Sequence, residues 1–199
     1  MAAQSLPTTL ASAFWPARAD AAGFARSVFL ALVGTALLTL SAKIKVPFYP
    51  VPMTMQTLVV LVLGAAYGSR LAAATVVAYL LEGALGLPVF ADTPERGVGL
   101  AYMMGPTGGY LLGFIAGAWL VGYLAERGFG RSLVGMGVAM TLGHAAIFAF
   151  GFGWLAMATS AHVAWTAGVV PFFAATALKT ALGTALVPAL WTFADKRRG

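Results

Sequence analysis

A chain of 199 residues that is 60% hydrophobic and 9% charged, with a mean hydropathy of +0.88, cannot clothe a soluble domain, in which about a quarter of the residues are charged. Its net charge of +6 would suggest a nucleic-acid partner in a soluble protein. Here Lys and Arg lie in short segments between long apolar runs, where they are orientation signals, and no nucleic-acid partner is expected. Without cysteine, disulfides and thiolate metal sites are excluded.

Residues 1–17 contain no Lys or Arg, so they do not read as a secretory signal, and the first apolar run is expected to be retained. Six continuous apolar runs follow, at roughly 24–42, 54–68, 70–88, 107–125, 131–156 and 169–192. Strands of a membrane barrel would alternate polar and apolar residues; these runs do not, so they read as helices. The expected fold is all-α, one polytopic domain over 1–199 with a bundle of six transmembrane helices in the lipid bilayer. Residues 1–23 form a cytoplasmic N-terminal segment and 193–199 a basic cytoplasmic tail. The second run reaches only about 23 Å at about 1.5 Å per residue, so it should begin below the membrane surface.

With the N-terminus inside, the inner segments hold Arg18, Arg26, Arg70, Arg127, Arg131, Lys196, Arg197 and Arg198. The outer loops hold only Lys43, Lys45 and Arg96, so both termini are expected in the cytoplasm. The first outer loop, Lys43 to Pro52, has prolines at 47, 50 and 52 and should be stiff and extended. The second, Val89 to Pro106, carries Asp92, Glu95, Arg96 and Tyr102. The third, Thr159 to Gly168, has no Lys or Arg.

The informative residues are those that cost free energy to bury. A charge at mid-bilayer costs about 3 kcal/mol on insertion scales. Glu82 is expected about 9 Å inside the outer end of the third span and Lys179 roughly 15 Å deep in the sixth. Opposite charges at similar depth offset each other's burial, which favours site roles over snorkelling. Thr54 is a candidate N-cap for the second span, and Gln56 behind it suits capping or ligand contact equally. His144 and His162 read as helix-packing hydrogen bonders. Gly109, Gly113 and Gly117 recur every four residues, spacing that lets another helix approach. Ser27, Ala31 and Thr35 form a similar stripe, for an internal neighbour or a partner subunit.

The chain has no Gly-x-x-x-x-Gly-Lys-Ser/Thr loop, no Gly-x-Ser-x-Gly elbow and no close carboxylate pair. An enzyme is therefore not expected, nor is any cofactor or metal. Binding or carriage of a small solute remains.

Val51-Pro-Met-Thr-Met-Gln-Thr57, Gly86-Leu-Pro-Val-Phe90 and Met104-Gly-Pro-Thr-Gly-Gly-Tyr110 occur in this order, followed by the lone lysine of the last run. Together they closely resemble the BioY family, the biotin-binding membrane subunits (S components) of energy-coupling-factor (ECF) transporters, over nearly all of residues 24–192. The resemblance implies six helices, biotin as ligand near the outer face of a bacterial cytoplasmic membrane, and an ECF transmembrane coupling subunit with two ATPase subunits as partners. It places ligand contacts at Gln56, Glu82, Arg96 and Lys179, with Tyr110 and Thr54 as further wall positions. Many relatives carry an acid where this chain has Thr176, and Glu82 stands where an amide is frequent, so the acid is expected on the other wall. On this reading Glu82 accepts from a ureido N–H, Lys179 donates to the ureido oxygen and Arg96 pairs with the carboxylate. The stripe Ser27, Ala31 and Thr35 becomes a docking face. The alternatives are a self-sufficient secondary carrier for biotin and, more remotely, an intramembrane enzyme.

Overall fold

A computed structural model describes residues 8–16, 19–46 and 53–197. Arg18, Arg198 and the proline segment of the first outer loop (47–52) lie outside these residues. Nine α-helices occur among the described residues: α1 (Leu10–Phe14), α2 (Ala21–Lys43), α3 (Gln56–Tyr67), α4 (Ser69–Ala84), α5 (Gly99–Met103), α6 (Gly108–Glu126), α7 (Leu133–Ala158), α8 (Ala161–Gly168) and α9 (Phe173–Lys196). Two-residue strands, β1 (Lys45–Val46) and β2 (Met53–Thr54), pair antiparallel across the first outer loop.

The chain is a largely helical, multi-pass architecture. Among the described residues four helical stretches are long and apolar enough to cross a membrane: Ala21–Lys43, Gly108–Glu126, Leu133–Ala158 and Ala161–Lys196. Their outer faces are greasy: Phe24 is 74% exposed, and Leu32 and Leu40 lie open on the same helix. Such a surface requires an apolar surrounding.

Short polar side chains start the helices. Asp20 accepts from the amide of Gly23 at 3.0 Å, Ser132 from Gly135 at 3.1 Å and Ser160 from Val163 at 3.2 Å. Thr54 does not do this for α3. It lies in β2, and Met55 occupies the N-cap position of α3 without a side-chain cap. The third apolar run is shorter than expected, because Gly86 takes a φ of +94° and Leu87 N–H closes back on the Glu82 carbonyl at 3.2 Å, ending α4. The third outer loop contains α8, so the last membrane helix begins at Phe173, after a 3-10 turn over Val170–Phe172.

α6 lies at the centre, packed against α3, α4 and α7. A Cβ added at Gly113 would stand 2.9 Å from the Ile147 backbone, and one at Gly117 would stand 3.1 Å from the Gly143 carbonyl. Gly109 likewise abuts Trp154. The glycine stripe is thus the seam with α7. The α2 stripe turns partly inward: Thr35 is 4% exposed, and its hydroxyl donates to the Leu32 carbonyl at 3.1 Å. Ser27 and Ala31 are half-buried, while the open face of α2 consists of Phe24, Val28, Leu32 and their neighbours. Of the three, Thr35 is buried inside the bundle, while Ser27 and Ala31 border the open face of α2.

Candidate functional site

A cavity of about 320 Å³ opens between α3, α6, α7 and α9, a volume suited to a small organic molecule. It lies at the end of the bundle where α3 and α6 begin, and its wall is mostly apolar: Leu111, Phe114, Ile147, Phe148, Leu155 and Phe172. The second outer loop and α8 close it with Ala91, Tyr102, Pro106, Thr107, Ala167 and Gly168.

Four of the six expected contact residues line this cavity: Thr54, Gln56, Tyr110 and Lys179. Lys179 is 6% exposed and donates from Nζ to the Thr57 hydroxyl at 3.0 Å. That single neutral partner leaves an ammonium with two further donors beside the cavity. Gln56 is 5% exposed. Its amide nitrogen donates to Tyr79 at 2.7 Å, and the Tyr79 hydroxyl passes the bond on to the Val89 carbonyl at 2.9 Å. The side chain thus ties α3 to α4 and to the start of the second outer loop, instead of capping. Tyr110 donates to the Gly168 carbonyl at 2.6 Å and anchors the end of α8 over the cavity.

Glu82 and Arg96 do not line it. Glu82 sits half-buried in the last turn of α4, which ends two residues later; the early stop of that helix removes the depth the sequence implied. The expected convergence of Glu82 on Lys179 is corrected accordingly. Arg96 is exposed in the loop, its Nε 3.4 Å from the Asp92 carboxylate.

The second outer loop is ordered by cations. Lys43, in the last turn of α2, donates from Nζ to the carbonyls of Phe90 at 2.9 Å and Thr93 at 2.6 Å, and to the Thr93 hydroxyl at 2.8 Å. Lys45 pairs with Asp92, whose φ is +56°. The hydrogen bond from Lys45, with the charges of Lys45, Arg96 and Lys43, holds the Asp92 carboxyl below its usual range despite partial burial. Tyr102 stacks on Phe90 with ring centroids 5.0 Å apart, and burial pushes its phenol up. Trp154 of α7 fixes the far end of the loop by donating to the Gly105 carbonyl at 3.0 Å.

Sequence reasoning missed Thr57, Tyr79 and Trp154. Thr57 closes the motif that contains Gln56, which was a usable signal. Tyr79 and Trp154 lie in apolar runs, where nothing distinguishes them from packing residues.

A mainly apolar cavity open at one end of the bundle, with one buried cation, inside helices whose outer surface is greasy, defines a membrane protein built around a small-molecule site. The family model described as "BioY family" matches residues 9–196, and the chain belongs to the BioY family. It is 38% identical over 124 residues to "Biotin transporter BioY" of Thermotoga maritima, covering 59% of this chain and 72% of that protein. It is 34% identical over 157 residues to "Probable biotin transporter BioY" of Pyrococcus horikoshii, covering 79% and 91%. A crystal structure of the S-component for biotin from an ECF-type ABC transporter superposes with a TM-score of 0.72 at 21% identity, over 88% of this chain and 95% of that one. The two share the fold.

Proposed function

We propose that this chain is the biotin-binding subunit of an uptake system: it takes biotin into the cavity and delivers it together with an ECF transmembrane coupling subunit and two ATPase subunits. The observation that carries the reading is Lys179, a buried ammonium with spare donors in an otherwise apolar cavity of ligand size. Biotin offers a matching surface. Its ureido oxygen is a strong acceptor for Lys179, its fused rings suit Phe114, Ile147 and Phe148, and its carboxylate tail points toward the second outer loop. There Arg96 exchanges Asp92 for the ligand carboxylate, a charge-assisted bond about twice as strong as a neutral one. Family membership and the names of the relatives support the ligand. The fold shared with an S-component of an ECF-type ABC transporter supports the partners.

In this reading α2, α3, α4, α6, α7 and α9 cross a bacterial cytoplasmic membrane. Arg127, Arg131, Lys196 and Arg197 gather at the end opposite the cavity, which supports a cytoplasmic position for that end and both termini by the positive-inside rule. The test is equilibrium binding of labelled biotin to the purified chain, with desthiobiotin, lipoate and thiamine as competitors. Biotin should bind and be recovered unchanged, with desthiobiotin the best competitor; displacement by thiamine at equal concentration would reject the assignment. Uptake by cells expressing the chain with and without the ATPase module then separates a coupled subunit from a self-sufficient carrier.

A further inference from the structure

The polar side chains around the cavity are mostly committed. Lys179 supplies donors only, and the Tyr110 proton goes to Gly168. One N–H of the Gln56 amide goes to Tyr79 and leaves its carbonyl oxygen as one acceptor, so a ligand with two N–H groups calls for a second acceptor. Among the described residues no Asp or Glu lies in the wall. A ligand that presents N–H groups as well as a carbonyl therefore needs a neutral acceptor near Lys179.

His144 meets that need. It lines the cavity from α7, one turn before Phe148, and is only 3% exposed. Its Nδ1 lies 3.1 Å from the Met140 carbonyl and 3.1 Å from the hydroxyl of Thr180, the residue after Lys179 on α9. Its Nε2 is buried and has no hydrogen-bond partner. The Met140 carbonyl can only accept, which favours the tautomer with the proton on Nδ1; in that form the neutral ring leaves Nε2 as a bare acceptor. The Met140 carbonyl of α7 and the Thr180 hydroxyl of α9 flank Nδ1 and hold the ring against rotation. Buried polar atoms rarely go without a partner, so Nε2 of a cavity-lining histidine is a candidate to receive a ligand proton.

We propose that His144 Nε2 accepts a hydrogen bond from an N–H of the bound ligand and, beside the donor Lys179, reads the N–H/C=O edge of a cyclic urea. The proposal rests on the biotin reading and adds to it the residue that recognises the ring nitrogen. It also explains how the cavity manages without a carboxylate: Glu82, the expected acceptor, lies outside it, and the imidazole takes that role.

The experiment compares biotin with two lactam analogues, each having one urea N–H replaced by CH2. Wild-type protein should bind one of the lactams about tenfold more weakly than biotin, as for a lost buried hydrogen bond. In His144→Leu and His144→Phe that preference should collapse to near unity while preference against the other lactam persists. An unchanged preference in both variants would overturn the proposal, because a purely structural histidine weakens all three ligands alike. In unsubstituted protein the 15N resonance of Nε2 should move on adding biotin and stay with the discriminating lactam, a readout that does not depend on either variant folding; no movement with biotin also overturns it. Wild-type protein that binds no biotin defeats the biotin reading itself, and this assignment with it.

Discussion

Two neighbouring regions are built largely from the same helices and could hardly differ more. Along the seam between α6 and α7, Gly109, Gly113 and Gly117 let the two helices approach closely. A few residues away, α7 turns His144 and Phe148 toward α9 and α3, and the space between becomes a cavity with Lys179 in its wall. Helices in lipid gain little from hiding apolar surface from each other, so their spacing is set by side-chain size and by polar contacts. Small residues close the gap; large and polar ones hold it open. The seam is the rigid frame on which the site is mounted.

The comparison breaks most visibly at the seam. Gly113→Leu forces a side chain against the Ile147 backbone and should cost about 3 kcal/mol by overpacking, read as loss of monodisperse protein in detergent. Gly153→Ala, on the same α7 but with open space around the added carbon, should leave yield and melting temperature unchanged. Equal damage from both would mean that the seam has no special role.

On the cavity side, Lys179→Ala should keep the fold and weaken biotin binding at least about tenfold, or about 1.4 kcal/mol. Isothermal titration measures it, and unchanged affinity removes Lys179 from the site. A smaller effect is expected for Tyr79→Phe. It deletes one hydroxyl between Gln56 and Val89, worth about 1 kcal/mol, and should appear as a modest fall in thermal stability and affinity together.

The smallest effect concerns the loop that closes the cavity. The folded carboxyl of Asp92 titrates below its usual value of about 3.9, so its ion pairs contribute fully above that value and fade as pH falls through the lower, folded one. Amide exchange in residues 89–106, corrected for its intrinsic pH dependence, should be flat from neutral pH to pH about 5 and rise only below that. Asp92→Asn should remove that acid-dependent rise. Because the pair is partly exposed, the effect on overall stability is slight.

Much of this was legible in the sequence. The apolar runs gave the helices, the four-residue glycine spacing gave a close-packing face on α6 without naming the helix that meets it, and the lone lysine of the last run lies in the cavity wall. Glu82 misled because its depth was counted along a helix assumed to reach Pro88, whereas Gly86 ends α4 early. Arg96, expected in the outer loop as a partner for a carboxylate, lies exposed there with its Nε 3.4 Å from Asp92. The α2 stripe was ambiguous, since small residues look the same whether they face a neighbour inside the chain or outside it.

What the sequence decided alone was the environment and the class of architecture: a chain this apolar, with so few charges, must put helices where there is little water, because each unpaired backbone group there costs too much. What only the tertiary structure decided was which polar residues share a cavity. Gln56, His144 and Lys179 come from three helices far apart in the chain, and their meeting depends on how far apart the helices stand and how each is rotated. Those quantities follow from contacts between elements, and no local pattern along the chain contains them.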